Sequence, residues 1–220
     1  RGHFTQALAM EEMLLRNGHE VVEILVGKSN SRRLPGFFNR NVKAPVKRFI
    51  SPNFLPTAEN KRASIGRSAL YNAMKVPEYL RSMYYIQKRI KQSGAEVIIN
   101  FYELLTGLTY ALFKPSAPYI CIGHQYLFLH KDFEFPQKSM SQLAMLRLFT
   151  RITSIGSMKR LALSFQDMPE DEEQRITVVP PLLRKEITSV QADNGDYIHG
   201  YMVNAGFADS VMAFHEQYPD

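Results

Sequence analysis

The sequence predicts an α/β protein built on a doubly wound, Rossmann-like parallel sheet. Two observations carry this. Short runs of strand formers alternate with helical patterns at the spacing of βαβ units, and the runs are apolar almost throughout, as buried parallel strands are. A third concerns position: polar residues cluster just after several of the runs, at the edge where open parallel sheets bind ligands.

The first element is a helix over about His3 to Asn17, with Ala7, Leu8, Met10, Met13 and Leu14 at helical spacing and Gly18 as a left-handed stop. Val21 to Val26 reads as the strand it feeds. From Lys28 to Arg48 the chain carries Lys28, Arg32, Arg33, Arg40, Lys43, Lys47 and Arg48 with no acidic residue among them, and Phe37 and Phe38 sit inside this stretch. Val46–Ile50 is a short strand, and Ser51 to Pro56 is loop. The pattern from Ala63 to Ser93 predicts two helices parted near Val76 and Pro77, ended by Gly94.

Glu96 to Tyr102 reads as a buried strand, followed by a helix from Glu103 to about Lys114 that Pro115 and Pro118 break. Tyr119–Ile122 is the next strand. Gln137 to Ser157 is helical, with Leu143, Leu146, Phe149 and Ile152 inward and Arg147 and Arg151 outward. Leu161 to Phe165 and Ile176–Val179 are strands, joined by an acidic segment, Asp167 to Glu173, read as solvated linker. Ser189 to Gly195 reads as an interdomain link. Beyond it Tyr197 to Val203 restarts a β pattern and Ala208 to Gln217 is helical. The domain reading is therefore 1–190 plus the beginning of a second domain over 195–220.

Composition sets bounds on function. At 220 residues and 45% hydrophobic content the chain can bury a core. Its 27 Lys+Arg against 21 Asp+Glu give a net charge of +6, which favours anionic partners without choosing among them. One cysteine, Cys121, excludes an internal disulfide framework and fits a reducing compartment. No apolar run approaches the roughly 18 residues of a bilayer span. The six histidines (His3, His19, His124, His130, His199, His215) show no HxxxH or HExxH spacing, so no metal site is expected. No GxSxG elbow and no GxxxxGK[ST] loop is present. The aromatics follow no RNA-binding pattern, which argues against nucleic acid.

Three segments remain as carriers of chemistry, all at the carboxyl ends of predicted strands or at a helix start. The opening offers Gly2 for close backbone approach, His3 as base or phosphate contact, and Thr5 and Gln6 as side-chain donors. Asn100, Tyr102, Glu103 and Thr106 leave one strand there, and His124 and Gln125 leave the next. The basic stretch with Phe37 and Phe38 offers a patch for an anionic surface.

Arg1-Gly-His-Phe-Thr-Gln-Ala-Leu-Ala-Met10, followed by Asn17-Gly-His-Glu-Val-Val22, resembles the opening of GT-B glycosyltransferases of the family 28 type. Ile122-Gly-His-Gln125 is similar to a loop of the lipid II-forming N-acetylglucosaminyltransferases of that type, with Gln125 where they carry glutamate. The resemblance implies two facing Rossmann-like domains, the first holding the acceptor and the second a UDP-linked nucleotide-sugar. It implies a metal-independent, inverting transfer to a sugar or lipid-linked acceptor hydroxyl in the cell envelope. His3 is then the first candidate for the base, with His124 and Glu103 in reserve, and Gly2, Thr5, Gln6, Asn100, Tyr102, Thr106 and Gln125 on the acceptor side. Such an enzyme is cytoplasmic, peripheral at the inner face of the membrane. Against that family the first strand is missing before Arg1 and the donor domain beyond Asp220, so low stability and weak donor binding are expected. Two other readings stay open: a nucleotide-sugar 2-epimerase of the same architecture, and a non-catalytic protein that binds sugar nucleotides or anionic lipid.

Overall fold

The computed structural model describes residues 2–28, 33–53, 65–135, 140–191, 193, 195–196 and 205–218. In chain order the first elements are α1 (Gly2–Arg16), β1 (Ile24–Lys28), α2 (Gly36–Asn41), β2 (Val46–Ile50), α3 (Ile65–Met74) and α4 (Val76–Ser93). They are followed by β3 (Ile98–Asn100), α5 (Leu104–Phe113), β4 (Tyr119–Ile122), a 3-10 helix (His124–Leu129) and α6 (Met140–Ile152). The last are β5 (Lys159–Leu163), β6 (Ile176–Val179), α7 (Lys185–Thr188), a 3-10 turn (Ala205–Phe207) and α8 (Ala208–Gln217).

The described strands all pair in parallel, β1 with β2 and, in a second sheet, in the order β3-β4-β5-β6. The mixed α/β class with parallel sheets is the one the sequence predicts. Alternate residues of the four-stranded sheet enter different cores, because side chains in a strand alternate between faces. Ile98, Tyr119, Cys121, Ala162 and Ile176 pack with Tyr79, Met83, Ile86 and Ile90 of α4. Ile99, Ile122, Leu161 and Leu163 pack with Met10 and Leu14 of α1. Helices thus cover both faces, which suits the apolar run of β4, Tyr119–Ile122.

The chain divides into two compact units, Arg1–Ser51 with Glu78–Val190 and Pro52–Pro77 with Gln191–Asp220. The first contains both sheets. In the second, Asn72 of α3 holds Asn53 by a reciprocal pair, donating to its carbonyl at 3.0 Å and accepting from its N–H at 3.2 Å. The expected strand over 197–203 and the residues 54–56 lie outside the described residues.

Several boundaries differ from expectation, each for a tertiary reason. The first strand starts at Ile24 rather than Val21, because the ladder opens where Ile24 N–H donates to Pro45 O. Just before it, Glu23 holds Arg89 of α4 at 2.6 Å and Lys47 at 3.0 Å. The third strand is short: Ile98 N–H donates to Pro118 O at its start, and Tyr102 at φ 60 turns the chain away after its end. The fifth runs from Lys159 to Leu163 and so ends before Phe165, which is 89% exposed.

The acidic segment is not a solvated linker throughout. Asp171 is 1% exposed, and its carboxylate accepts from the N–H groups of Lys131 at 2.9 Å and Gln174 at 3.1 Å. Arg147 is not fully outward either: it lies over Phe135 at 5.2 Å and donates to Phe128 O.

Gly107 fixes how α5 meets the end of α6. A Cβ there would lie 2.1 Å from Ile152 O and 2.8 Å from the Thr153 carbonyl carbon, both backbone atoms that cannot step aside. Alanine is normally better than glycine inside a helix by about 1 kcal/mol. Here the clash outweighs that gain, since overpacking costs roughly 1–3 kcal/mol. Gly107→Ala is therefore expected to lower the urea unfolding midpoint, whereas a stabilised variant would mean the two helices can separate freely.

Candidate functional site

The site is built on the carboxyl ends of the strands in the first unit. Strand β4 ends at Ile122, Gly123 turns the chain, and the 3-10 helix starts at His124. A Cβ on Gly123 would meet Gln125 Oε1, the flexible end of that side chain, at 2.9 Å. The amide of Gln125 is thereby folded back over the turn, and its Oε1 is buried without a hydrogen-bond partner among the described residues. Gln6 Oε1, on the first turns of α1, is in the same condition.

His3 and His124, far apart in sequence, come together electrically. Burial by the surrounding protein lowers the pKa of His3 below the ordinary histidine value, and the charge of His124 lowers it further. Burial also lowers that of His124. Both rings keep exposed surface, so the site holds imidazoles that favour the neutral form and remain reachable. Gly2 is exposed beside them. Thr5 uses its hydroxyl hydrogen internally, donating to Gly2 O at 2.7 Å.

Glu103 lies at the end of β3, where it caps α5: its Oε1 accepts from Leu105 N–H at 3.1 Å and from the hydroxyl of Ser51 at 2.8 Å. Burial raises its pKa, and the hydrogen bonds from Ser51, Leu105 and Leu104 only partly offset that. Gly27 of β1 makes room for it, since a Cβ would sit 2.7 Å from Glu103 Oε2. Ser51 and Gly27 escaped the reading of the sequence, although both stand at strand ends on this same edge. Glu103 therefore sits where the ends of β1, β2 and β3 meet, and its hydrogen bonds go to Ser51, Asn100 and the start of α5.

Three expected rim residues have other work. Asn100 is 2% exposed; its side chain donates to Thr153 O at 2.9 Å and accepts from Glu103 N–H at 2.9 Å, which makes it a brace rather than an open donor. Thr106 is buried in α5. Tyr102 is half-buried and bonds through its hydroxyl to Thr150 Oγ1 at 2.8 Å, with its ring against Tyr126 and Phe149. A bulky residue at φ 60 is uncommon and is tolerated where surrounding packing over-determines it.

The basic stretch does not form the single aromatic patch expected of it. Phe38 is fully buried against Phe4, with ring centroids 4.9 Å apart. Phe37 is half-buried beneath Arg184. Lys47 is neutralised by Glu23, and Arg48 lines a groove with Arg81 of α4. Lys28 closes β1 and is half-buried, while Arg33, Arg40 and Lys43 are exposed. Arg32 lies outside the described residues. Among the described residues no group of three or more His, Cys, Asp or Glu could hold a metal ion.

The raised pKa of Glu103 has a sign that can be measured. The folded state binds the Glu103 proton more tightly than the unfolded chain, so this group's contribution is full below the ordinary glutamate value. It is lost as pH rises from there through the folded value. Glu103→Gln keeps an acceptor for Ser51 and Leu105 without a charge. It should flatten that decline in urea unfolding free energy, and an unchanged slope would show that Glu103 is not held neutral.

A family model described as Glycosyl transferase family 1 matches residues 1–217. No curated protein matches the chain.

Proposed function

The chain belongs to glycosyl transferase family 1, and we propose that its first unit is the acceptor side of a transfer from a nucleotide-sugar, UDP-linked, to an acceptor hydroxyl. The observation that carries the reading is the pairing of His3 with His124 at the carboxyl rim, both biased toward the neutral, proton-accepting form. A neutral imidazole at His3 takes the proton as the acceptor oxygen attacks the anomeric carbon. The bond from that carbon to the diphosphate breaks as the new one forms, with inversion. His124 opposes protonation of His3 and so keeps it available as base.

The amide oxygens of Gln6 and Gln125 suit the hydroxyl groups of a sugar, since each is a buried acceptor with no partner among the described residues. Gly2 leaves the start of α1 open to the reacting groups. In this reading 1–190 is the acceptor-side domain of a GT-B enzyme, and 195–220 opens the domain that holds the donor. The leaving diphosphate is met by helix N-termini and basic side chains, without a metal. The narrower likeness to the family 28 type supports an acceptor carried on a lipid of the cell envelope, used by an enzyme working at the inner face of the membrane. No described helix is long and apolar enough to cross a membrane.

Removing a general base typically costs 10²–10⁴-fold in rate. In the full polypeptide, His3→Ala should lower kcat by about that range with KM for the acceptor little changed. The acid limb of the wild-type pH–rate profile should fall below the ordinary histidine value. A His3→Ala rate within about threefold of wild type is too small a loss for a base and would exclude that role.

A further inference from the structure

Two buried titratable side chains of the first unit take no part in the chemistry above. His130 and Asp171 are each 1% exposed. Both act at the tail of the 3-10 helix (His124–Leu129), whose first two residues, His124 and Gln125, stand at the functional rim.

A 3-10 helix has poorer hydrogen-bond geometry than an α-helix, so its place depends on what holds its ends. The sheet holds the head, where Gly123 N–H donates to Leu161 O at 3.1 Å. His130 holds the tail. Its N–H donates to Leu127 O at 3.0 Å and closes the last turn. Its ring then bridges 39 positions of chain, with Nε2 2.8 Å from Pro169 O in the connection between β5 and β6. A carbonyl only accepts, so Nε2 carries the proton. The bare Nδ1 accepts from Asp132 N–H at 3.1 Å.

That connection is itself firmly anchored. Asp171 exchanges two backbone hydrogen bonds with Ile176 of β6, at 3.0 and 2.9 Å. Its Oδ1 accepts from Gln174 N–H at 3.1 Å, and Arg175 takes φ 52 in the same turn. Its Oδ2 reaches back to the tail of the 3-10 helix and accepts from Lys131 N–H at 2.9 Å. The tail is thus clamped twice, at His130 and at Lys131, to a segment that is fixed to the sheet.

We propose that His130 is a positioning residue for the transfer: its bond to Pro169, seconded by Asp171, sets the aim of the 3-10 helix and so places His124 and Gln125 against His3. Six residues of 3-10 helix span about 12 Å, so a loosened tail re-aims the side chains at the head. A misplacement of about 1 Å can cost a reaction roughly 10²-fold. The inference rests on the reading of His3 and His124 given above and adds the residue that aims one at the other.

Two substitutions separate the long bridge from the local turn. In His130→Gln the amide nitrogen stands in for Nε2, which keeps the donor to Pro169 O and loses the acceptor for Asp132. In His130→Asn the amide oxygen stands in for Nδ1, which keeps that acceptor and loses the bridge. NMR titration of the full polypeptide should find the His3 midpoint unchanged in His130→Gln. In His130→Asn it should move toward the ordinary histidine value, by about twofold or more in proton affinity. Asp171→Asn loosens the same clamp with His130 in place. It should move His3 in the same direction, and it replaces His130→Asn if that variant does not fold. The proposal is overturned if the loosened variant leaves His3 at its wild-type midpoint, or if His130→Gln shifts it as far as His130→Asn does. The titration needs no sugar transfer, so a failed positioning role and a failed base role for His3 are told apart.

Discussion

The rim of this protein depends on one buried amide. Asn100 ends β3, and its side chain meets the N–H of Glu103 on one side and the carbonyl of Thr153 on the other. It thereby ties together a strand, the cap of α5 and the end of α6. A buried amide left without partners costs on the order of 1–3 kcal/mol for each unmet group, so the contacts are specific rather than adaptable. Gly107 makes the arrangement possible by letting α5 reach the α6 carbonyls. Tyr102 is held in its left-handed conformation between the same elements by Thr150, Tyr126 and Phe149.

On this braced edge the titratable groups are pushed one way. Burial lowers the two histidines and raises Glu103, so each favours its uncharged form. A site of neutral imidazoles and amide oxygens suits an uncharged hydroxyl and its proton better than a phosphate. Among the described residues, exposed cations stand on the outer face of α4 and at Arg33, Arg40 and Lys43.

Much of this was legible in the sequence. Val46–Ile50, Tyr119–Ile122 and Ile176–Val179 were bounded correctly because breakers or prolines flank short apolar runs. The order of strands and helices was legible from the alternation of apolar runs with helical patterns. What could not be read were facts about partners. Phe38 looked like part of a surface patch until Phe4 covered it, and Asp171 looked solvated until two backbone N–H groups turned toward it. Asn100 looked like a donor for a ligand because the Thr153 carbonyl it serves lies 53 positions away. The pairing of Ser51 with Glu103 is equally non-local, across 52 positions.

The fold brings the charge of His124 to bear on His3 and lowers the pKa of both imidazoles. The most direct measurement is an NMR titration of the two imidazoles in wild type and in His124→Ala. The account predicts that both titrate below the ordinary histidine value of about 6.5, and that loss of His124 moves His3 upward. Ordinary midpoints for both rings, with His3 indifferent to the loss of His124, would contradict it.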